Sequence, residues 1–243
     1  MSNQKQWGFT IIELILFLGI TGALFAGLMV GVNTSINTQR YKQSAASFKS
    51  ALEEQYAEVT YPRNARDNSW ACSAEVGIVS DPSNGTTRGT SQCVLLGRFI
   101  EVEKDGTTIK TGDVVGIDPG VSTETVSSDI DILKAYTPRV SPINVSETEV
   151  GWQSHLESPE NGVSKASYLI LRSPLSGIIR TFGSADPLPD QLTNMLTSSH
   201  ATAVIKNCVV PAGYISIPVQ SVTVNAAVGS ANGVVLEGND SEC

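Results

Sequence analysis

The stretch that decides the fold runs from Gly8 to Val32 and reads GFTIIELILFLGITGALFAGLMVGV. Residues 9–32 contain a single charged side chain, Glu13. A run of about 20 apolar residues is long enough to cross a bilayer as an α-helix. The carboxylate therefore needs an explanation, because a charge at the centre of a membrane helix costs on the order of 3 kcal/mol.

The residues around this run differ from those of an ordinary cleaved signal peptide. The leader MSNQKQWG is short and carries one lysine, Lys5, and no A-x-A cleavage site follows the apolar run. Basic residues lie on both sides of the run, since Arg40 and Lys42 follow it. Counting positive charges therefore leaves the orientation in the membrane open.

Small residues recur at every fourth position of the apolar run, at Gly19, Ala23, Gly27 and Gly31. Such a stripe lets two membrane helices approach closely. Glycine is also generally common in membrane helices. The regular spacing favours the interpretation that this stripe is a helix-packing surface.

The helical pattern continues beyond the apolar run, over residues 33–61. Apolar side chains recur there at steps of three and four residues, which predicts one buried helix face: Tyr41, Ala45, Phe48, Leu52, Tyr56 and Val59. No proline interrupts residues 9–61, and Pro62 ends the pattern. We therefore predict one continuous helix with a membrane half (9–32) and an amphipathic half (33–61) that rests on a domain.

The sequence Gly8-Phe9-Thr10-Ile11-Ile12-Glu13, followed by an apolar run, resembles the class III signal of type IV pilins and pseudopilins. The resemblance covers residues 8–62. It implies that a prepilin peptidase removes residues 1–8 by cutting between Gly8 and Phe9, and methylates the new amine of Phe9. It also assigns Glu13 to the assembly of subunits into a filament. The leader departs from the common pattern, since Gln6 and Trp7 separate Lys5 from the glycine.

The resemblance offers an explanation for Glu13. Counted from Phe9, Glu13 lies about 6 Å along a helix, one turn in. An α-amine has a pKa near 8, so the Phe9 amine is mostly cationic at neutral pH. We expect Glu13 of one subunit to meet the Phe9 amine of another, which favours docking at one stagger. The alternative is an acid that lies at the headgroups of a plain anchor helix.

Residues 62–243 have the composition of a β-rich domain. Short β-rich runs occur at 94–103, 107–110, 166–172, 177–182, 201–210 and 221–228, with turn residues between them. Residues 104–106 are expected to join the first two runs as a hairpin, 190–199 to form a short helix, and 65–92 to form a polar loop. Residues 122–160 are expected to be an exposed excursion or a segment ordered by partners. The predicted fold class is α+β, a long N-terminal helix packed on a mostly antiparallel β domain.

Charge and cysteine usage narrow the functional classes. The chain of 243 residues has 24 Asp and Glu against 16 Lys and Arg, which argues against a general nucleic-acid binder. The four cysteines lack metal-ligand spacing, and their even number in an exported chain favours two disulfides. Of the three possible connectivities, we predict that sequence neighbours pair, Cys72 with Cys93 and Cys208 with Cys243.

No catalytic motif is present in the sequence, so we expect neither an enzyme nor a cofactor or metal. The histidines, His155 and His200, are interpreted as surface or loop residues. Asp105, Asp113 and Asp118 lie in a glycine-rich stretch but do not match an EF-hand loop, so turn chemistry is the better interpretation. The basic residues Arg63, Arg66, Arg88, Arg98 and Lys104 are scattered, and nucleic acid is an unlikely partner.

The sequence thus predicts a structural subunit of a type IV pilus or pseudopilus-like filament, and its length favours a minor subunit. The resemblance implies several partners: the prepilin peptidase, other pilin-like subunits, an assembly ATPase and inner-membrane platform proteins. The chain would first be a single-pass protein of the cytoplasmic membrane with an extracytoplasmic domain, and later part of a surface or periplasmic filament. One alternative is an uncleaved anchor that displays a binding β domain, and another is a membrane-tethered enzyme.

Overall fold

The computed structural model describes residues 10–63, 70–73, 77–80, 91, 93–120, 128–160, 162–211, 218–238 and 242–243, with the backbone alone at 72–73 and 77–80. Helix α1 runs Ile11–Thr60, so the predicted continuous helix is confirmed over these residues. The leader, residues 1–8, lies outside the described residues. The chain divides into two compact units, Met1–Arg40 and Tyr41–Cys243, and the boundary falls within α1.

The second unit consists of the end of α1, short strands and a second helix. In chain order the described strands are β1 (Trp70–Ser73), β2 (Gly77–Ser80), β3 (Cys93–Val102), β4 (Thr108–Ile117), β5 (Arg139–Val140), β6 (Ser146–Glu149), β7 (His155–Ser158), β8 (Gly162–Val163), β9 (Ser167–Arg172), β10 (Ile179–Ser184), β11 (Val204–Val210), β12 (Gln220–Asn225) and β13 (Val234–Gly238). Helix α2 spans Asp129–Ala135. Single 3₁₀ turns lie at Gly151–Gln153, Leu192–Met195, His200–Thr202 and Ala231–Gly233.

The strands form two main antiparallel sheets. The first has the order β10-β9-β3-β4-β5, and β6 also pairs with β4. The second has the order β13-β12-β11-β7-β8, while β1 and β2 form a separate hairpin. Each pairing among the described strands is antiparallel. The predicted fold class, α+β with a mostly antiparallel β domain, is confirmed.

The amphipathic half of α1 packs on both sheets. The six predicted face positions, from Tyr41 to Val59, are each at most 4% exposed. They share one core with side chains from both sheets: Ile100, Val102, Tyr168 and Ile170 from the first, and Val209, Val222 and Val224 from the second. Full burial of a Leu or Phe side chain contributes about 1.5–3 kcal/mol. The helix face is therefore a main source of stability for the domain.

The other face of the first sheet has its own core. Because side chains alternate along a strand, Leu169 and Leu171 of β9 point away from α1. They pack with Phe182 and with side chains of α2 and the Leu192–Met195 turn. Helix α2 begins at Ser128, whose Oγ accepts a hydrogen bond from the amide N–H of Asp131 at 3.2 Å. The first sheet is thus covered on both faces.

Buried tyrosines attach α1 to the strands. Tyr41 Oη donates to the Val209 carbonyl at 2.7 Å and accepts from the Gln220 amide at 2.6 Å. Tyr56 Oη lies 3.1 Å from Thr181 Oγ1 of β10. Burial raises the pKa of both phenols, so both groups stay neutral. One tyrosine therefore fixes the helix to the second sheet and the other fixes it to the first.

A charged cluster attaches the last turns of α1 to β3 and β4. We call Gln55, Glu58, Arg98, Asp113 and Asn144 the Arg98 cluster. Arg98 Nη1 donates to Asp113 Oδ1 at 2.6 Å, and Arg98 Nε donates to Gln55 Oε1 at 2.9 Å and lies 3.1 Å from Glu58 Oε2. Asn144 Nδ2 donates to Asp113 Oδ2 at 3.2 Å. The Arg98 side chain is only 7% exposed. Arg98 is therefore a buried cation with a structural role.

A β-bulge in β3 positions Arg98. The register between β3 and β4 shifts between Leu95 and Gly97. A Cβ atom at Gly97 would lie 2.0 Å from the Ile170 carbonyl oxygen, so the close approach of the backbones requires glycine. The shift leaves Arg98 directly opposite Asp113 on the neighbouring strand. The glycine and the buried ion pair are therefore parts of one local arrangement.

One of the two predicted disulfides is present among the described residues. Cys208 of β11 is bonded to Cys243, 35 residues later in the chain. This bond ties the C-terminus to the second sheet, as predicted. Cys93 is disulfide-bonded too, but the side chain of its predicted partner, Cys72, lies outside the described part of the structure.

The predicted β-rich runs correspond to β3, β4, β9, β10, β11 and β12. The β3–β4 hairpin is confirmed, and β4 extends to Ile117, beyond the predicted 107–110. The short helix expected within 190–199 is present as the 3₁₀ helix Leu192–Met195. Two expectations were wrong. The loop 65–92 contains β1 and β2, and the described part of 122–160 holds α2 and β5 to β7 within the fold.

Replacing Asp113 by alanine is expected to destabilise the domain by about 3–5 kcal/mol, because Arg98 would stay buried without its closest carboxylate. Urea denaturation of the detergent-solubilised chain measures this change. The matched control is Glu53→Ala, which removes the half-exposed Lys49–Glu53 pair of α1 and should cost at most about 0.5 kcal/mol. Equal effects of the two substitutions would contradict a buried ion pair.

Replacing Cys243 by serine is expected to lower the free energy of unfolding. The chain-entropy model assigns about 4 kcal/mol to closing a loop of 35 residues. Thermal unfolding under non-reducing conditions, compared with the parent chain, measures the difference. A parent chain with the same unfolding midpoint in the presence and absence of reductant would count against this assignment.

Candidate functional site

The apolar part of α1 is a surface that the rest of the chain leaves uncovered. None of its 18-residue apolar window is buried by the rest of the chain. Large side chains around its circumference are mostly exposed, for example Ile11 at 77%, Phe25 at 67% and Met29 at 74%. α1 is thus long and apolar enough to cross a membrane once, and could anchor the protein there. Such a surface needs lipid or other helices around it.

The hydroxyl groups of this helix segment are satisfied within the helix. Thr21 Oγ1 donates to the Phe17 carbonyl at 2.8 Å, and Thr34 Oγ1 donates to the Val30 carbonyl at 3.0 Å. In hydrocarbon an unpaired polar group costs several kcal/mol, so these bonds make the segment compatible with a bilayer. Within residues 11–32 they leave Glu13 as the polar side chain that still needs a partner.

Glu13 lies in the first turn of α1, and Thr10 caps that turn. The amide N–H of Glu13 donates to Thr10 Oγ1 at 3.3 Å. Thr10-Ile-Ile-Glu13 has the spacing of a capping box, in which a hydroxyl and an acid three residues later serve the same helix end. An acid there also interacts favourably with the helix dipole. The sequence contains this signal, but we did not predict the role of Thr10.

The Glu13 carboxylate has no ion pair or side-chain hydrogen bond with any residue that the structure describes. Its amide belongs to the cap, while no described residue of the chain pairs with its charged group. Gly8 and Phe9, the predicted processing residues, lie outside the described residues. The contact expected between Glu13 and the Phe9 amine of another subunit stays a prediction.

The small-residue stripe faces open space in the single chain. A Cβ atom at Gly19, Gly27 or Gly31 would meet no atom within 4 Å. Glycines of the β domain differ sharply, since Gly97 and Gly229 have backbone carbonyl oxygens within about 2 Å of the position that a Cβ would take. Folding of the single chain therefore explains Gly97 and Gly229 and does not explain the glycines of the stripe.

The other residues singled out by sequence have ordinary structural contacts. His200 Nδ1 lies 3.0 Å from Thr197 Oγ1, and His155 Nε2 lies 3.0 Å from Glu157 Oε1. Asp105 accepts hydrogen bonds from the Thr107 hydroxyl at 2.7 Å and from the amides of Thr107 and Thr108 in the β3–β4 turn, and these bonds hold the pKa of its carboxyl below the usual value. Among the described residues, no three His, Cys, Asp or Glu side chains come together as a metal site.

Comparison of the chain with models of known protein families, with curated protein sequences and with solved structures finds no match.

A pair of alanine substitutions tests the difference between the two kinds of glycine. Gly27→Ala is expected to leave thermal unfolding of the detergent-solubilised chain unchanged, because the added methyl group meets no atom of the chain. Gly97→Ala should destabilise the β domain by about 1–3 kcal/mol through overpacking. Near-UV circular dichroism of the tyrosines measures the thermal unfolding of both variants. An effect of Gly27→Ala as large as that of Gly97→Ala would show that the stripe serves the single chain.

Proposed function

We propose that the chain is a structural subunit of a type IV pilus or pseudopilus-like filament. In this proposal the peptidase cuts between Gly8 and Phe9, and the methylated Phe9 begins the mature chain. The observation that carries the proposal is an uncovered apolar helix whose first turn holds one acid with no partner among the described residues, followed by an antiparallel β domain. This arrangement is compatible with a pilin-like fold.

The uncovered helix surface supports a subunit with two successive environments. Lipid covers the apolar side chains of residues 11–32 while the subunit lies in the membrane. After extraction from the membrane, equivalent helices of neighbouring subunits must cover them, because water around this surface would be strongly unfavourable. The stripe of Gly19, Ala23, Gly27 and Gly31 gives neighbouring helices room for close approach.

The Glu13 carboxylate has no partner among the described residues. This supports a role for Glu13 in setting how far neighbouring subunits are staggered along the filament. Inside a bundle of apolar helices an unpaired charge is strongly penalised, while a charge that meets its partner is not. Cleavage after Gly8 would create an amine one helical turn from Glu13. Subunits that dock with this amine near a neighbour's Glu13 satisfy both charges, and other staggers leave both buried and unpaired.

The attachment of α1 to the β domain suits a load-bearing subunit. Hydrogen bonds at 2.6–3.1 Å connect the helix to both sheets. Tyr41 binds β11 and β12 of the second sheet, Tyr56 binds β10 of the first, and Arg98 of β3 binds Gln55 of the helix. A pull on the helix would therefore have to break the apolar core and these buried bonds together. The filament could serve adhesion, motility, DNA uptake or secretion, and the length of the chain favours a minor subunit.

The first experiment is intact mass and N-terminal sequencing of the protein from native membranes and from sheared surface filaments. A chain that begins at N-methyl-Phe9 and occurs in the sheared fraction is the expected result. A chain that begins at Met1 or Ser2 would overturn the proposal. The protein would then be a single-pass anchor that displays its β domain as a binding module.

The second experiment separates the charge of Glu13 from its place in the helix cap. Glu13→Gln keeps a residue that functions in a capping box but removes the charge. We expect this variant to accumulate in the membrane at the parental level and to be lost from the sheared filament fraction. Immunoblotting of the two fractions measures both amounts.

The matched control is Thr10→Ala, which removes the capping hydroxyl and keeps the charge. The loss of one cap costs about 1 kcal/mol in an otherwise long helix, so incorporation should persist. Normal incorporation of Glu13→Gln, or equal loss in both variants, would contradict charge pairing as the basis of assembly.

A further inference from the structure

A cavity of about 190 Å³ with both polar and apolar lining residues lies beside the Thr60 end of α1, within the β-domain unit. We call it the Arg98 cavity. Three arginines line it, Arg63, Arg98 and Arg172, together with the two acids of the Arg98 cluster, Glu58 and Asp113. The sequence places the three arginines far apart, and the fold brings them together because β3 pairs with β9 next to the end of the helix.

Arg98 lines the cavity, and one nitrogen of its guanidinium group has no hydrogen-bond acceptor among the described residues. A guanidinium carries five N–H groups. Nε is used by Gln55 and Glu58, and Nη1 by Asp113. No residue in the described part of the chain accepts a hydrogen bond from Nη2 of Arg98. The side chain is 7% exposed, so the unused N–H groups belong to a nearly buried cation at the edge of an open space.

The balance of charge selects the ligand. Among the described lining residues, three arginines against Glu58 and Asp113 leave a formal charge of +1, in a chain whose net charge is −8. One negative charge would neutralise the cavity, whereas a dianion would meet two carboxylates already bound to Arg98. Guanidinium groups match the geometry of a carboxylate particularly well.

The remaining wall of the cavity is apolar. Val59, Leu95 and Leu96 line it beside the arginines. A carboxylate on an aliphatic stem could therefore place its head on Arg98 and its methylenes on this wall. We propose that the Arg98 cavity binds an acidic side chain of a protein partner through that single carboxylate. This inference goes beyond the filament role and does not depend on it.

The Glu58 carboxylate would compete with the carboxylate of a ligand for Arg98. Its carboxylate lies 3.1 Å from Arg98 Nε, but its side chain is 43% exposed. Asp113, in contrast, is held by both Arg98 and Asn144. An incoming carboxylate can therefore displace or crowd Glu58 more easily than Asp113. Removal of the Glu58 charge should improve binding, which is the opposite of what general damage to the fold would do.

The test uses the full chain in detergent micelles with ¹⁵N-labelled arginine side chains, followed by NMR. The probe is N-acetylglutamate N-methylamide, and the matched neutral control is the corresponding glutamine compound. For a ligand of this size we expect a Kd on the order of 1 mM. The Nε resonances of Arg98 and Arg172 should shift with the glutamate probe, while that of Arg139, which does not line the cavity, should stay in place.

Three variants give effects of different sign. Glu58→Gln should tighten binding about three- to fivefold, and Arg172→Gln should weaken it by a similar factor, because each changes one partly exposed charge at the site. Arg139→Gln, an exposed substitution elsewhere on the first sheet, should leave the Kd unchanged. The three variants are compared under identical salt conditions, since screening affects all of them.

Three outcomes would overturn the proposal. The first is no shift of the Arg98 resonance at probe concentrations well above about 1 mM. The second is an equal shift with the glutamine compound, which would show that the carboxylate is not recognised. The third is tighter binding of inorganic phosphate than of the glutamate probe, which would make the cavity a phosphate site.

Discussion

The burial of one face of α1 against two sheets is the interaction on which the rest of the β domain depends. Tyr41, Phe48, Leu52 and Tyr56 fill the space where both sheets meet the helix. The inward-facing apolar side chains of each sheet are covered by this helix and by the opposite sheet. Without the helix face, the first sheet would keep its core with α2, but the core that joins the two sheets would open.

The polar anchors make this packing specific. Apolar burial alone would tolerate a helix shifted by a turn, since the pattern of its face repeats. Tyr41 and Tyr56 of the helix remove that freedom, because each has its hydrogen-bond partner at one position on the strands. Arg98 of β3 likewise meets Gln55 at one position of the helix. A shift would leave these buried hydrogen-bonding groups unpaired, and such groups are costly. The register of the helix on the sheets is therefore fixed by a few polar contacts.

The two halves of α1 differ in how their apolar side chains are buried. Its second half buries one face and exposes the other, while its first half exposes apolar side chains all round. The chain thus completes its own core from Tyr41 onward and leaves residues 11–32 for an external cover. Two glycines of the β domain contrast with those of the stripe in the same way. A Cβ atom at Gly97 or Gly229 would meet neighbouring backbone, whereas one at Gly19, Gly27 or Gly31 would meet no atom within 4 Å.

The sequence by itself determined the features that depend on local periodicity: the extent of α1, its buried face, the β3–β4 hairpin and the apolar segment with Glu13. Even some local signals were missed, such as the caps at Thr10 and Ser128. Polar edge strands such as β6 (SETE) carry no hydrophobic alternation and could not be recognised. Only the tertiary structure decided that Arg98 is buried and that Arg63, Arg98 and Arg172 share a cavity, because strand pairing brings distant residues together.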